Sequence, residues 1–542
     1  MASRFVVATV AAFAAAVISA TTAFGHAERQ TQFPDGTGTV PTYRPMVADP
    51  HLVVCDPRRS AKRIAAMQDA SLQATNEALL SECRFRTIQR ALDAIRTAGT
   101  TVYLLPGVYE ERPNRDDPDC ATDKQLLSYE EQRACPHDQN LIGVFGDQTD
   151  DVKRACDGPL CRLQLEGTGA SPDDVVITGG FDEAGDFTKL NGIRADRADG
   201  VYFKNFTIQL FEFNALYILE TDGFAVDDVV GRWNDEYAFL TFAVDHGVYQ
   251  DCEGYGNGDS AIYPGSASDV NSSRGEDDPL PISRWAVEIK RCRSWNNTLG
   301  YSGTAGNSVY AHDNQFFDNA TGTATDSVFP NHPGLPQDHG WFEDNEVYGN
   351  NNNLYEKYVY SGECDKTPAE RNYQGGTVCP VVLVPVGTGQ MIAGGNFNLY
   401  RSNDVYDNWR NGFMLFGVPA AVRNEPEDGF DTSHWNEYRD NSLGLAPGGR
   451  ERPNGLDIWW DDQGVGNCFE GNVSATGDVT HNGLHLLDGG GLGLPDCDQR
   501  SSVFPTVAPK DALLVPCSSY NRDTNRKPAA CDWYESPPRP AG

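Results

Sequence analysis

The chain has 542 residues, 39% of them hydrophobic, and its 77 acidic against 43 basic residues give a formal net charge of −34 at pH 7. That balance excludes nucleic acid and anionic membrane surfaces as partners, because either requires a basic patch that displaces counterions. Most of the acid reads as a solvated face that keeps a large monomer soluble, and a minority reading is that Asp and Glu clusters in turns hold Ca²⁺, which takes oxygen ligands in flexible geometry.

Residues 1–27 read as a signal peptide, with Arg4 in a short n-region, an apolar stretch from Phe5 to Ala23, and Gly25-His26-Ala27 as a small-x-small cleavage site. No later segment is apolar enough to cross a bilayer, so no membrane span is expected after cleavage. The 14 cysteines, an even number, agree with export to an oxidising compartment. A secreted, extracellular protein is expected. Sequence neighbours predict the pairs Cys55–Cys83, Cys120–Cys135, Cys156–Cys161, Cys252–Cys292, Cys364–Cys379, Cys468–Cys497 and Cys517–Cys531. None of them has zinc-ligand spacing with clustered histidines.

Residues 28–84 form an N-terminal extension. It begins with a lead-in over 28–57 rich in Pro, Gly and Thr, and continues as one largely polar helix from Arg58 to Cys83. FRTIQRALDAIRTAG predicts another helix, with Ile88, Leu92 and Ile95 on one face and Gly99 as its stop. TVYLLPGVYEE reads as a strand broken by a Pro-Gly turn, and VVITGG and VYFKNFTI follow it.

Asn205, Asp228 and Asp251 then sit at one place in three segments spaced 23 residues apart, and Ala215, Ala238 and Ala261 repeat the spacing. The echo continues with insertions at Arg291, Asn314, Asn345 and Asn403. Each unit alternates Val, Ile, Phe, Tyr and Thr without a helical period, so it consists of strands and turns. Such a period marks a solenoid. Helical repeats and leucine-rich repeats do not fit, which leaves a parallel β-helix with coils about 4.8 Å apart. In that array Cys252 of QDCEG and Cys292 of KRCRS share a rung position, within disulfide reach.

The order TIQRALDAI, TVYLLPGVYEE, VVITGG, VYFKNFTI resembles the start of right-handed parallel β-helix proteins of the pectate-lyase-like superfamily. The resemblance spans residues 85–490 and implies that the short helix caps the solenoid, whose open end would otherwise expose apolar core and unpaired strand edges. The stretches at 297–304, 389–408 and 454–472 are similar to secreted bacterial β-helix repeat proteins. Residues 491–542 read as a disulfide-tied tail.

On this fold the resemblance places chemistry on the first strand of each coil, expected here at NALYIL, YAFLTF, SAIYPG, LGYSG, GTATDS, LYEKYV, GFMLFG and GLHLL. Leu216, Phe239 and Ile262 then face the core. Tyr217 and Tyr263 face out, either to stack on sugar rings or simply to cover the sheet. The candidate catalytic residues are Asp245, His246, Asp259, Asp338, His339 and Glu343, with Asp222 stacked on Asp245. Candidate substrate contacts are Tyr217, Tyr263, Glu356, Lys357, Trp459 and Trp460. A glycosidase needs two carboxyls across one bond, and a lyase or epimerase needs a base and a cation at a uronate. Asp245-His246-Gly247 and Asp338-His339-Gly340 echo only part of a polygalacturonase pattern and are equally readable as polar turns, while the Asp-Pro-His of alginate epimerases finds only Asp49-Pro50-His51, ahead of the cap helix. Trp459 and Trp460, beside Asp457, Asp461 and Asp462, form either a sugar platform or a plug closing the last coil. Two functions stay open: a polysaccharide lyase, hydrolase or epimerase working in the β-helix groove, or a non-catalytic β-helix protein that binds polysaccharide or cell-surface glycan or is a structural protein of the cell surface.

Overall fold

Strand partners lie one repeat apart and run parallel: Phe224 pairs with Val201 and Val230 with Thr207 along two successive segments. The computed structural model describes residues 29–111, 120, 128–148, 155–275, 280–487, 491–502, 510, 513–521, 524 and 527–541, and the expected signal peptide lies outside them. Each regular coil has two short legs in one sheet and, in the other, a strand that is six residues long in most coils. The chain is a right-handed parallel β-helix, as expected.

Two compact units divide it, an N-terminal one (Gly25–Asn257 with Lys366–Asn372) and a C-terminal one (Gly258–Asp365 with Tyr373–Gly542). In the N-terminal unit, parallel pairing begins with His51–Val54 against Thr101–Leu104, ahead of the boundary expected at 85. The single helix read from Arg58 to Cys83 is two, Pro57–Ile64 and Ala70–Glu82. Asp69 causes the break, because its carboxylate caps the amides of Ser71 and Leu72 and starts a new helix. Ile88–Ala94 is helical, and Ile88, Leu92 and Ile95 are buried on one face.

The three residues of the echo all have left-handed backbone: φ is 54° at Asn205, 55° at Asp228 and 53° at Asp251. Asn and Asp carry that conformation at the lowest cost among residues with a Cβ. It recurs at Arg291, Asp313, Asp344, Ser402 and Asp440. The alignment onto Asn314, Asn345 and Asn403 was therefore one residue late. Those asparagines follow the left-handed residue and point inward as a ladder, in which the Nδ2 of each donates to the Oδ1 of the next through Asn441 to Asn472. A second ladder runs through Asn297, Asn319, Asn350, Asn408 and Asn454, and a third through Asn398, Asn436 and Asn467. Cys292 also occupies a ladder position, its amide donating to Asn314 Oδ1.

Six disulfides join the cysteines paired from sequence, and Cys252 and Cys292 are each disulfide-bonded. No helix among the described residues is long and apolar enough to cross a membrane.

Both outward faces of the six-residue strands are covered, each within its own unit. In the N-terminal unit Ile193, Leu216 and Phe239 align inward, and Arg194, Tyr217 and Leu240 align outward. Residues 29–44 lie over that unit as an extended strap. Arg29 bridges Asp196 and Glu220, the Gly38 amide donates to Asp222, and Tyr43 donates to Glu166. In the C-terminal unit the outward row Ala324, Met391, Met414 and Trp459 packs with Tyr355, Val384 and Val386 of an insertion and with Leu514, Cys517 and Tyr534 of the tail.

Two of the eight expected segments are not strands of the solenoid. LYEKYV contains a π-helix, Tyr355–Val359, whose Tyr355 hydroxyl is drawn inward to Val382 O and Val384 N. In GLHLL, His485–Leu486 pairs antiparallel with Leu492–Gly493, and the final strand of the sheet is Ile458–Trp460.

Candidate functional site

Asp222 and Asp245 are direct partners in adjacent strands, as expected from their spacing, and His246 Nδ1 lies 2.7 Å from Asp222 Oδ1. The strap closes over them: the Gly38 amide holds Asp222 Oδ2 at 2.8 Å, and a Cβ at Gly36 would come within 3.3 Å of Asp245 Oδ2. Beside them burial, aided by the charges of Asp222 and Asp35, pushes the Asp199 carboxyl up to about 7. The cavity between strap and sheet is only about 10 Å³, room for a water and not for a sugar.

Tyr217 and Tyr263 do not face solvent. Tyr217 points away from the core as expected, but the Arg194 guanidinium lies 5.0 Å over its ring, and Arg194 is itself buried, bonded to Asp196 and Gln132. Tyr263 is enclosed, its hydroxyl 3.0 Å from Nε2 of His332. Burial lowers His332 to about 4, so the imidazole is neutral and accepts a hydrogen bond from the phenol. Asp259 is buried as well. Glu356 and Lys357 sit on the π-helix and not on a groove strand; Lys357 donates to Asn352. Trp460 is fully buried against Phe469 and His485, and Trp459 packs on the tail cluster, so this pair is the plug. Asp49-Pro50-His51 forms a local contact, with His51 also reaching Glu82.

The C-terminal unit brings Asp338 and His339 together and adds Asp269, which sequence reading missed. One ligand-type atom from each lies within 4.8 Å of the other two. Asp338 and His339 stand at a turn where Asp338 bridges to Asn396 and the Asp338 amide donates to Asn307 Oδ1. His339 has φ 54°, in the turn position filled by Phe397 (φ 50°) one coil later, and the two rings stack at 5.1 Å. Burial and the Asp338 charge push the Asp269 carboxyl up to about 6. Glu343 is not part of this group. It accepts from the Tyr310 hydroxyl at 2.9 Å and from Arg401 Nε at 2.7 Å.

Three residues after Asp338 the chain enters a strip of part-exposed rings. Tyr310 and Trp341 are strand partners with centroids 4.5 Å apart at 35°, and Trp285 lies 4.9 Å from Tyr310 at 52°. His312 stacks on Tyr310 at 4.3 Å. Glu288, bonded to both Lys290 and His312, borders the strip on one side, and the Glu343–Arg401 pair borders it on the other. The hydrogen bond with Glu288 raises the His312 pKa, and that with His312 lowers the Glu288 pKa. A second row, Trp295, Phe317, Tyr348 and Tyr406, stacks at 13°, 5° and 3°. Parallel rings one strand apart cover one another's faces, whereas the 35° and 52° tilts splay these part-exposed rings, with His312 stacked on Tyr310 and the Arg401 guanidinium 5.3 Å over Trp341. Tyr310 and Trp341 could have been found in the sequence, since each precedes a left-handed Asp by three residues. Trp285 and Asp269 had no such marker, because insertions surround them.

Chemically, the tilted rings can stack on apolar faces of sugars while the flanking carboxylates and cations bond to hydroxyls.

No family model matches the chain, and no curated protein matches its sequence. Among solved structures it is similar to the A-module of a mannuronan C-5 epimerase from Azotobacter vinelandii, at 13% identity over 72% of this chain and 90% of that one, with a TM-score of 0.37. A pectate lyase matches at 11% identity over 80% of this chain and 76% of that one, with a TM-score of 0.33. A surface adhesin of Streptococcus pneumoniae matches at 11% identity, 71% and 80%, with a TM-score of 0.36. At these scores the likeness adds nothing to the strand register, which assigns the fold by itself.

Proposed function

We propose that the chain is a secreted glycan-binding protein that holds a polysaccharide along the Trp285–Tyr310–Trp341 strip. The observation that carries this reading is the tilt of three part-exposed rings, spaced 4.9 and 4.5 Å apart between charged pairs. The burial of the six-residue strands weighs against a groove there, and the strap closed over Asp222 and Asp245 weighs against catalysis by that pair. Disulfide bonding of every cysteine is in keeping with an extracellular protein.

The test is a glycan array followed by incubation of each bound glycan with the protein, reading reducing ends and unsaturated-sugar absorbance. Binding without product, lost in Trp285→Ala and Trp341→Ala, is the expected result. Release of product by the wild type, abolished in Asp338→Asn, would make the protein an enzyme instead.

A further inference from the structure

We propose that Asp269, Asp338 and His339 form a site for one divalent cation of the first transition row. The cluster converges two carboxylates and an imidazole on one point. His339 is 1% exposed, yet neither of its ring nitrogens has a hydrogen-bond partner. Asp269 Oδ1 and Asp338 Oδ1 are also buried with no N–H or hydroxyl donor on them, the two carboxyls lying within hydrogen-bonding reach of one another. Leaving such atoms unpaired costs roughly 1–3 kcal/mol each, so four in one place call for an occupant.

Geometry says what kind. His339 Nδ1 is 3.1 Å from Asp338 Oδ1 but is not aligned for hydrogen bonding. Metal–ligand bonds of about 2.1 Å put adjacent ligand atoms about 3.0–3.4 Å apart in octahedral or tetrahedral coordination, so this distance is one edge of such a polyhedron. Two carboxylates balance the charge of a divalent ion. The imidazole selects against Ca²⁺, which prefers six to eight oxygens, and for Mn²⁺ or Zn²⁺. The stacked Phe397 ring and the Asn307–Asp338 hydrogen bond hold the ligands in place.

Two other groups have ligand-type atoms in similar proximity, Asp147 with Cys156 and Cys161, and Glu437 with Cys468 and Cys497. Their sulfurs are spent in disulfides and offer no thiolate. The cation site does not depend on glycan binding and is tested without glycan.

The full-length secreted chain is stripped with EDTA, and Mn²⁺, Zn²⁺ and Ca²⁺ are titrated separately by calorimetry. The expected result is one Mn²⁺ or Zn²⁺ per chain, bound at least about ten-fold more tightly than Ca²⁺. His339→Gln and Asp338→Asn should each weaken it by about 100-fold or more, and pulsed electron paramagnetic resonance of bound Mn²⁺ should show a nitrogen coupling that His339→Gln removes. Because those two residues lie in a turn of the solenoid, Asp269→Asn serves as a further variant, and the thermal melt of each apo variant checks folding. The proposal is overturned by absence of stoichiometric binding, by Ca²⁺ binding as tightly as Mn²⁺ and Zn²⁺, or by unchanged affinity in the folded variants.

Discussion

Asp326 is buried, and burial pushes its carboxyl up to about 6 although Thr304 and the Val328 amide donate to it. A carboxyl raised from 3.8 in this way favours folding fully below 3.8, and the benefit is lost as pH rises through 6, so at pH 7 the ionised group is a cost. Asp326→Asn should therefore raise unfolding free energy at pH 7 by about 1–3 kcal/mol, with the gain vanishing near pH 4. His332 runs the other way. Its pKa is lowered from 6.5 to about 4, so its contribution is complete above 6.5 and disappears as pH falls through 4. Urea melts of wild type and Asp326→Asn at pH 7, 5.5 and 4 measure both slopes, and an unchanged difference across that range would contradict the assignment. The sequence offered His332 no special place, since its environment is assembled by Tyr263 from a distant strand.

The asparagine ladders are the elements on which the coils of the C-terminal unit depend most directly. Asn345 alone accepts from the amide and side chain of Asn314 and donates to Ala311 O and Asn403 Oδ1. Asn345→Ala strands buried partners on both sides and should cost about 3 kcal/mol, read by denaturant melts, with hydrogen exchange accelerated first in the neighbouring coils. The strap makes a second prediction. Arg29→Met leaves Asp196 with Arg194 and Glu220 with Arg197, so the loss should be about 2–3 kcal/mol and not the 3–5 of a fully stripped buried pair. Glycan binding should be unaffected by it. Here the sequence was legible in part. Spacing revealed the strands and the left-handed turns from Asn205 to Asp251, because Asn and Asp favour that backbone. It misplaced Asn314 and its successors by one residue, because an inward ladder uses the same residue type for a different purpose. The π-helix of LYEKYV was not legible, since it is held by the buried Tyr355 hydroxyl and by the Glu356 amide donating to Asn353 Oδ1.

For the whole molecule, repeat and cysteine spacing carried the fold, and the cysteine pairs followed from proximity along the chain. The candidate site was much less legible. Asp338 and His339 were visible as a motif, but Asp269 comes from another coil, and the covering of the six-residue strands of the C-terminal unit by insertion and tail has no local signal. The net charge of −34 implies self-repulsion that salt screens, so raising NaCl from low millimolar to about 150 mM should increase the melting temperature by roughly a few degrees. On the proposed reading the tilted rings, and not the six-residue strands, receive a glycan. The most direct measurement is calorimetry of the array-selected glycan against wild type, the Trp285→Ala/Trp341→Ala double variant and Trp459→Ala. The double variant should lose binding by at least about 2 kcal/mol, with Trp459→Ala binding as wild type does. Binding kept by the double variant and lost in Trp459→Ala would contradict that reading.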